Sequence, residues 1–184
     1  MIKKINLSLL ILVLNFIVAC GQMPKTAEVF LTYLNNYQID SLQMLITDSF
    51  QINRTYTSIS HDKSTFINKY VPNSKNNNGK FNIIKSNTIG NVTEFLVEDQ
   101  SDYLKYLDIE FPQWIIKIKV NEQNKVENMT IDTTKNYNDY MTQTKEMGNK
   151  FESWLTEKYP NETIEILFNT EGLLTQRLKE FSSK

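Results

Sequence analysis

From Thr26 the apolar residues Ala27, Phe30, Leu31 and Leu34 recur at spacings of three and four, which predicts a helix to about Asn36. Asp40-Ser41-Leu42-Gln43 has the form of a capping box with Asp40 as N-cap, and predicts a short second helix that buries Leu42, Leu45 and Ile46. Phe50, Ile52, Arg54 and Tyr56 then alternate with polar residues, the period of a strand. Asp62 caps a third amphipathic helix carrying Phe66, Ile67 and Tyr70, which should end before Pro72 because the residue preceding proline avoids helix. Asn73–Gly79 reads as a polar loop. Phe81–Ile89 and Val92–Val97 alternate on either side of Gly90-Asn91 and predict a hairpin. Gln100–Leu107 connects it to a long strand, Ile109–Val120, with Trp114, Ile116, Ile118 and Val120 on one face. Pro112 near its start predicts an edge or a bulge there. Asn121–Asn124 turns the chain into a last strand, Val126–Ile131. Beyond it the period returns to three and four through Tyr137, Tyr140, Met147, Phe151 and Trp154, a helix of about five turns ended at Pro160, with one or two returning helices after it.

The first residues follow a different pattern. Lys3 and Lys4 precede a mostly apolar stretch, Ile5 to Ala19, that is shorter than the roughly 20 residues of a spanning helix. This is the layout of a secretory signal. Ile17-Val18-Ala19-Cys20, followed by Gly21, resembles the lipobox of bacterial lipoproteins. The resemblance implies cleavage before Cys20 and lipid on its thiol, and several acyl chains hold a protein firmly at a membrane. Gly21–Lys25 carries no acidic cluster, and the expected location is the periplasmic face of an outer membrane.

Composition mainly excludes. The chain has 184 residues with a formal net charge of −1, one Cys, one His and 5 Gly. A lone Cys cannot form an internal disulfide framework, and one His cannot form the multi-His sites of zinc hydrolases. No metal or cofactor is expected. Neither G-x-G-x-x-G nor a P-loop occurs, and near-neutral charge argues against a nucleic-acid partner. Ser60-x-x-Lys63 lacks the accompanying K-T-G and S-D-N of penicillin-interacting enzymes and reads as chance.

Three helices and one early strand followed by a meander of antiparallel strands resemble the α+β cone of nuclear transport factor 2-like proteins, polyketide-cyclase-like proteins and ketosteroid isomerases. The resembling stretches are Phe30-Leu31-x-Tyr33-Leu34 with Asp40-Ser41-Leu42-x-x-Leu45, then Asp62-Lys63-x-x-Phe66-Ile67, and Trp114-Ile115-Ile116-x-Ile118 with Asn124-Lys125-Val126. The expected organisation is a signal peptide over 1–19, a lipidated tether over 20–25, the cone over 26–133 and a C-terminal helical extension over 134–184. The resemblance implies a curved antiparallel sheet wrapped on three helices, with a pocket open at one end. The inward set would be Phe50, Ile52, Trp114, Ile116, Ile118 and Met129, and the alternative is that these residues fill one another's space as core.

Candidate chemistry is sparse. Arg54 and Tyr56 share the side of Phe50 and Ile52, and are candidates for a clamp on an anionic or polar ligand at the pocket mouth, against a reading in which the strand end has emerged into solvent. A buried Arg there needs a carboxylate such as Asp48 or Asp62, or a bound anion. His61 is the sole imidazole, with Asp62 beside it as a candidate partner, against a plain cap or surface role. The isomerases of the family use an Asp base with a Tyr and a second acid. Tyr33 and Tyr37 are candidates for the tyrosine, but Asp99, Asp102 and Asp108 flank the connection between strands rather than a strand's inward face. The leading expectation is therefore a membrane-anchored, non-enzymatic protein that binds a small apolar ligand or a protein partner, its tail covering the sheet or building a homodimer. The alternatives are a cyclase- or isomerase-like enzyme and a structural lipoprotein with a filled cone.

Overall fold

The structure, a computed structural model, describes residues 26–183; the lipobox-like segment and Cys20 lie outside them. Helix α1 is described over 26–35, and its buried stripe is Ala27, Phe30, Leu31 and Leu34. It stops where Tyr37 takes a left-handed conformation, φ 55°. Helix α2, Ile39–Leu45, buries only Leu42. Its N-cap is Gln38 without a side-chain bond, so Asp40 lies in the first turn instead of capping it. Ile46 has already left the helix and opens strand β1, Ile46–Arg54, because its extended backbone brings it onto the sheet. Strand β2, Ser60–Asp62, pairs with β1 and leads directly into the third helix.

That helix, α3, runs through Lys63–Thr65, Phe66–Tyr70 and Val71–Asn76 without a break. Asp62 caps it as expected, accepting from the Thr65 N–H at 2.8 Å. It does not end before Pro72. Phe66–Tyr70 is a π turn, in which the Val71 N–H reaches the Phe66 carbonyl. The wider turn makes room for the proline ring and needs no donor from Pro72, which the α-helical pattern would require.

Strands β3, Lys80–Ile89, and β4, Val92–Gln100, form the hairpin around Gly90, φ 61°. Helix α4, Asp102–Tyr106, fills the connection that lacked a sequence signal. Strands β5, Gln113–Val120, and β6, Val126–Thr133, complete a six-stranded sheet in the order β2-β1-β6-β5-β4-β3. The sheet is mixed rather than wholly antiparallel, since β1 runs parallel to β6. β5 is interior and begins only after Pro112, so no ladder bond needs the N–H that proline lacks. On the sheet's inner face Phe50, Ile52, Phe95, Val97, Ile116, Ile118 and Met129 are almost fully buried against α1 and α3. Phe50 and Phe66 pack with ring centroids 4.9 Å apart, and Phe30 lies 6.0 Å from each.

The tail consists of α5, Tyr137–Lys158, α6, Ile164–Asn169, and α7, Leu173–Ser182. It builds a second hydrophobic cluster from Phe151, Trp154, Leu155, Leu167, Leu174 and Leu178. Leu104, Leu107 and Ile109 from the α4 connection belong to this cluster, so the tail packs on the cone's own chain. Arg177 ties the tail to itself: two bonds of 2.6 and 2.7 Å reach Glu162, one of 3.0 Å reaches Glu180, and its guanidinium lies 3.7 Å from the Tyr159 ring centre. Among the described residues no helix is long and apolar enough to cross a membrane.

Candidate active or binding site at the mouth of the cone

A cavity of about 560 Å³ opens between α1, α3, the β3–β4 hairpin and the tail. Leu34 and Asn35 line it from α1, Thr65, Lys69 and Tyr70 from α3, and Tyr140 and Phe168 from the tail. Asn35 bonds both the N–H and the carbonyl of Phe81, at 2.8 Å each, which fixes β3 against α1. The end of α3 and the loop after it hold the tail and α4 in place. Asn76 donates to the Phe168 carbonyl at 2.8 Å, Asn77 accepts from the Tyr103 N–H at 2.9 Å, and Asn78 donates to Asp102 at 2.7 Å. Thr175 of α7 donates to the same Asp102 carboxylate.

Asp99 lies in the wall of this cavity. It extends a face of β4 on which Thr93, Phe95 and Val97 are all buried. Register explains its surroundings. Val97 pairs with Trp114, so Asp99 is the diagonal neighbour of that indole. The Trp114 Nε1–H donates to Asp99 Oδ2 at 3.3 Å, and the Asp99 N–H donates to the Pro112 carbonyl at 2.9 Å. Burial pushes the Asp99 carboxyl up to about 6, against the indole N–H and the nearby Arg54 charge, which both favour the carboxylate.

Around it stands a group of aromatic side chains. Tyr56 stacks on Trp114 at 5.3 Å, and Tyr137 and Tyr140 meet the same indole edge-on at 6.0 and 5.6 Å. Tyr70 lies on the α3 side with Arg54 5.6 Å from its ring centre. Burial raises the Tyr70 phenol to about 12, and it raises Tyr56 and Tyr140 as well. Arg54 pulls all three the other way. These phenols therefore keep their protons at neutral pH and can serve as donors.

The sequence-predicted residues divide. Arg54 and His61 line the cavity. Trp114 and Tyr56 stand behind Asp99 in the wall. Phe50, Ile52, Ile116, Ile118 and Met129 are packed in the core, each at most 1 % exposed. Asp62 is committed to the Thr65 N–H and Asp48 to Lys63 at 2.9 Å, so neither is Arg54's partner. His61 and Asp62 are successive residues of β2 and face opposite ways, His61 toward the cavity. Tyr33 does not line the cavity, and the Tyr37 hydroxyl is used on the Gly79 carbonyl at 2.9 Å. Sequence reasoning missed Asp99 because it ended β4 at Val97. The period of two in Thr93, Phe95, Val97 and Asp99 was the available signal. Among the described residues no group of His, Cys, Asp and Glu is placed to hold a metal ion.

Solved structures share this architecture at low sequence identity. PrhC from Penicillium brasilianum is 13 % identical with a TM-score of 0.55, over 74 % of this chain and 97 % of its own. SalBIII, described as an epoxide hydrolase/cyclase-like enzyme in pyran ring formation in the polyether salinomycin, is 8 % identical with a TM-score of 0.54, over 62 % of this chain and 92 % of its own. A Kribbella flavida protein provisionally assigned as a ketosteroid isomerase is 11 % identical with a TM-score of 0.53, over 62 % of this chain and 79 % of its own. No protein-family model matches the sequence, and no curated protein matches it. The likeness establishes the cone fold expected from the sequence.

Proposed function

We propose that this chain is a membrane-tethered envelope protein that holds a small organic ligand in the cavity at the mouth of its cone. The observation that carries the reading is the make-up of that cavity. Side chains from α1 and α3, the hairpin and the tail converge on one space, where apolar and aromatic groups such as Leu34, Phe81, Tyr140 and Phe168 stand among polar and charged ones such as Asn35, Arg54, Lys69 and Asp99. Asn73 lines the space from α3, and its side chain holds no hydrogen bond or ion pair among the described residues, so it can be enlarged without breaking one. Asn73→Trp is expected to fill the cavity. Mass spectrometry of organic extracts from the purified native protein should find one enriched small molecule in wild type and none in the variant, with melting temperatures alike. Equal ligand content in both proteins sinks the reading.

The tether rests on Cys20 and the lipobox-like residues before it. Cys20→Ser is expected to release the protein from the membrane fraction into the soluble envelope fraction. Retention of the variant at the membrane contradicts lipid attachment. Removal of the wild type from intact cells by protease would place it on the outer surface instead of facing the periplasm.

A second reading, acid–base catalysis in the same cavity, is favoured by Asp99. A carboxyl that titrates near 6 beside several protonated phenols can take a proton from a carbon acid and return it, while the phenols stabilise the resulting oxyanion. Turnover of a ketosteroid by the wild type, lost in Asp99→Asn, separates this reading from simple binding.

A further inference from the structure

We infer that the ligand of this cavity is an amphipathic organic anion, with its acid group at Arg54 and its apolar body along Leu34, Phe81 and Phe168. The inference rests on the proposed binding role and adds the chemical class of what is bound. Its first support is Arg54 itself. The side chain is half-buried at the end of β1 and lines the cavity, yet among the described residues it forms no salt bridge. The carboxylates nearest in sequence are spent elsewhere, Asp48 on Lys63 and Asp62 on the helix cap. Asp99 acts on Arg54 through space without closing an ion pair. A half-buried guanidinium without a carboxylate gains most from an anion brought in by a ligand.

The second support is what surrounds Arg54. Arg54 has only donors, and the phenol oxygen of Tyr70 accepts from it. Tyr70 keeps its own proton, so this phenol offers a second donor beside the first. The cavity wall holds three basic side chains, Arg54, Lys69 and Lys80, against the single acid Asp99. Neither Lys69 nor Lys80 is in a salt bridge among the described residues, and both stand at the exposed rim, where they draw an anion inward. Asp99 meanwhile has Oδ2 engaged by the Trp114 indole. Apolar surface is part of the same lining: Leu34 and Phe81 are buried members of the main core, and Phe168 joins them from the tail. Cationic and apolar side chains around one space match a molecule that carries both an acid group and an apolar body.

The test uses a matched pair of probes, 2-naphthoate and 2-naphthamide, which differ in charge and little in shape, titrated into the purified full chain by calorimetry. Naphthoate is expected to bind at least about tenfold more tightly than naphthamide, the scale of one hydrogen bond to a charged group. Arg54→Gln should bring the two affinities together by weakening naphthoate alone. Should Arg54→Gln fail to fold, the exposed pair Lys69→Gln/Lys80→Gln decides: naphthoate binding should weaken two- to threefold and lose part of its salt dependence, with naphthamide unchanged. Naphthamide binding as tightly as naphthoate, or naphthoate binding that ignores both sets of substitutions, overturns the inference and leaves the cavity reading standing. Binding of neither probe overturns both.

Discussion

Replacing Asp99 by Asn is expected to stabilise the protein at pH 7.5 and, on the acid–base reading of the site, to abolish turnover. The Asp99 carboxyl titrates near 6 in the folded chain and near 3.8 when unfolded. Between those values the folded state binds a proton that the unfolded state lacks. Stability contributed by this group is therefore full below about pH 4 and lost as pH rises to about 6. Two pH units correspond to about 3 kcal/mol at most, because each unit is worth about 1.4 kcal/mol. Asn carries no charge at any pH and keeps an oxygen for the Trp114 indole. The variant should match wild type near pH 4 and melt about 5–10 °C higher at pH 7.5. Asp48, Asp132, Glu162 and Glu180 have lowered pKa values and produce the opposite slope in acid, so the quantity to read is the difference between the two proteins. Thermal melts from pH 4 to 8, with Trp114 emission recorded alongside, provide it. An Asn variant destabilised equally at every pH contradicts the argument.

Asp99 also shows where the sequence was legible and where it was not. The cone could be read because its main helix and its central strands each bury one clean stripe, although β3 buries only Phe81. Ala27, Phe30, Leu31 and Leu34 form such a stripe in α1, and Trp114, Ile116, Ile118 and Val120 form another in β5. Periodicity is a record of burial, and here burial follows secondary structure closely. The site itself breaks that correspondence. At Asp99 a charged residue continues an apolar face, and a reader of hydrophobicity ends the strand one step early. At Pro72 the helix continues through a residue that normally stops it, because a π turn, which has no composition signature, lies just before. The Asn76–Asn78 run looked like a featureless loop. In the structure each of the three side chains holds a different contact with the tail or with α4. Such bonds depend on segments about 25 to 90 residues away in the chain, and no local pattern encodes them. Arg54 was legible as a candidate because a cation stood on an apolar face. Its lack of a carboxylate could be seen only once Asp48 and Asp62 had been placed.

The tail presents the other large effect. Phe151 is fully buried at the centre of the second cluster. Its ring stacks on Trp154 at 5.7 Å and meets Phe181 edge-on at 5.4 Å and Tyr103 at 6.5 Å. Phe151→Ala removes all of these contacts and leaves a cavity, which costs about 3–5 kcal/mol. The loss falls on the tail first, because the main core beneath the sheet shares few residues with the second cluster, Tyr140 being one that packs against both. The two tryptophans report the two parts separately, Trp114 in the cone and Trp154 in the tail. In Phe151→Ala, Trp154 should change environment at lower denaturant than Trp114, splitting unfolding into two steps. Ile166→Ala, at an exposed position on α6, should leave the curve within about 0.5 kcal/mol of wild type. The functional consequence follows from Phe168 and Tyr140, which form one wall of the cavity and belong to the tail. With the tail helices loosened that wall is gone, so Phe151→Ala should lose naphthoate binding under conditions where the cone's strands still give their native circular dichroism. Retained binding by a variant whose tail has melted would mean that the cone alone holds the ligand and that the tail serves something else.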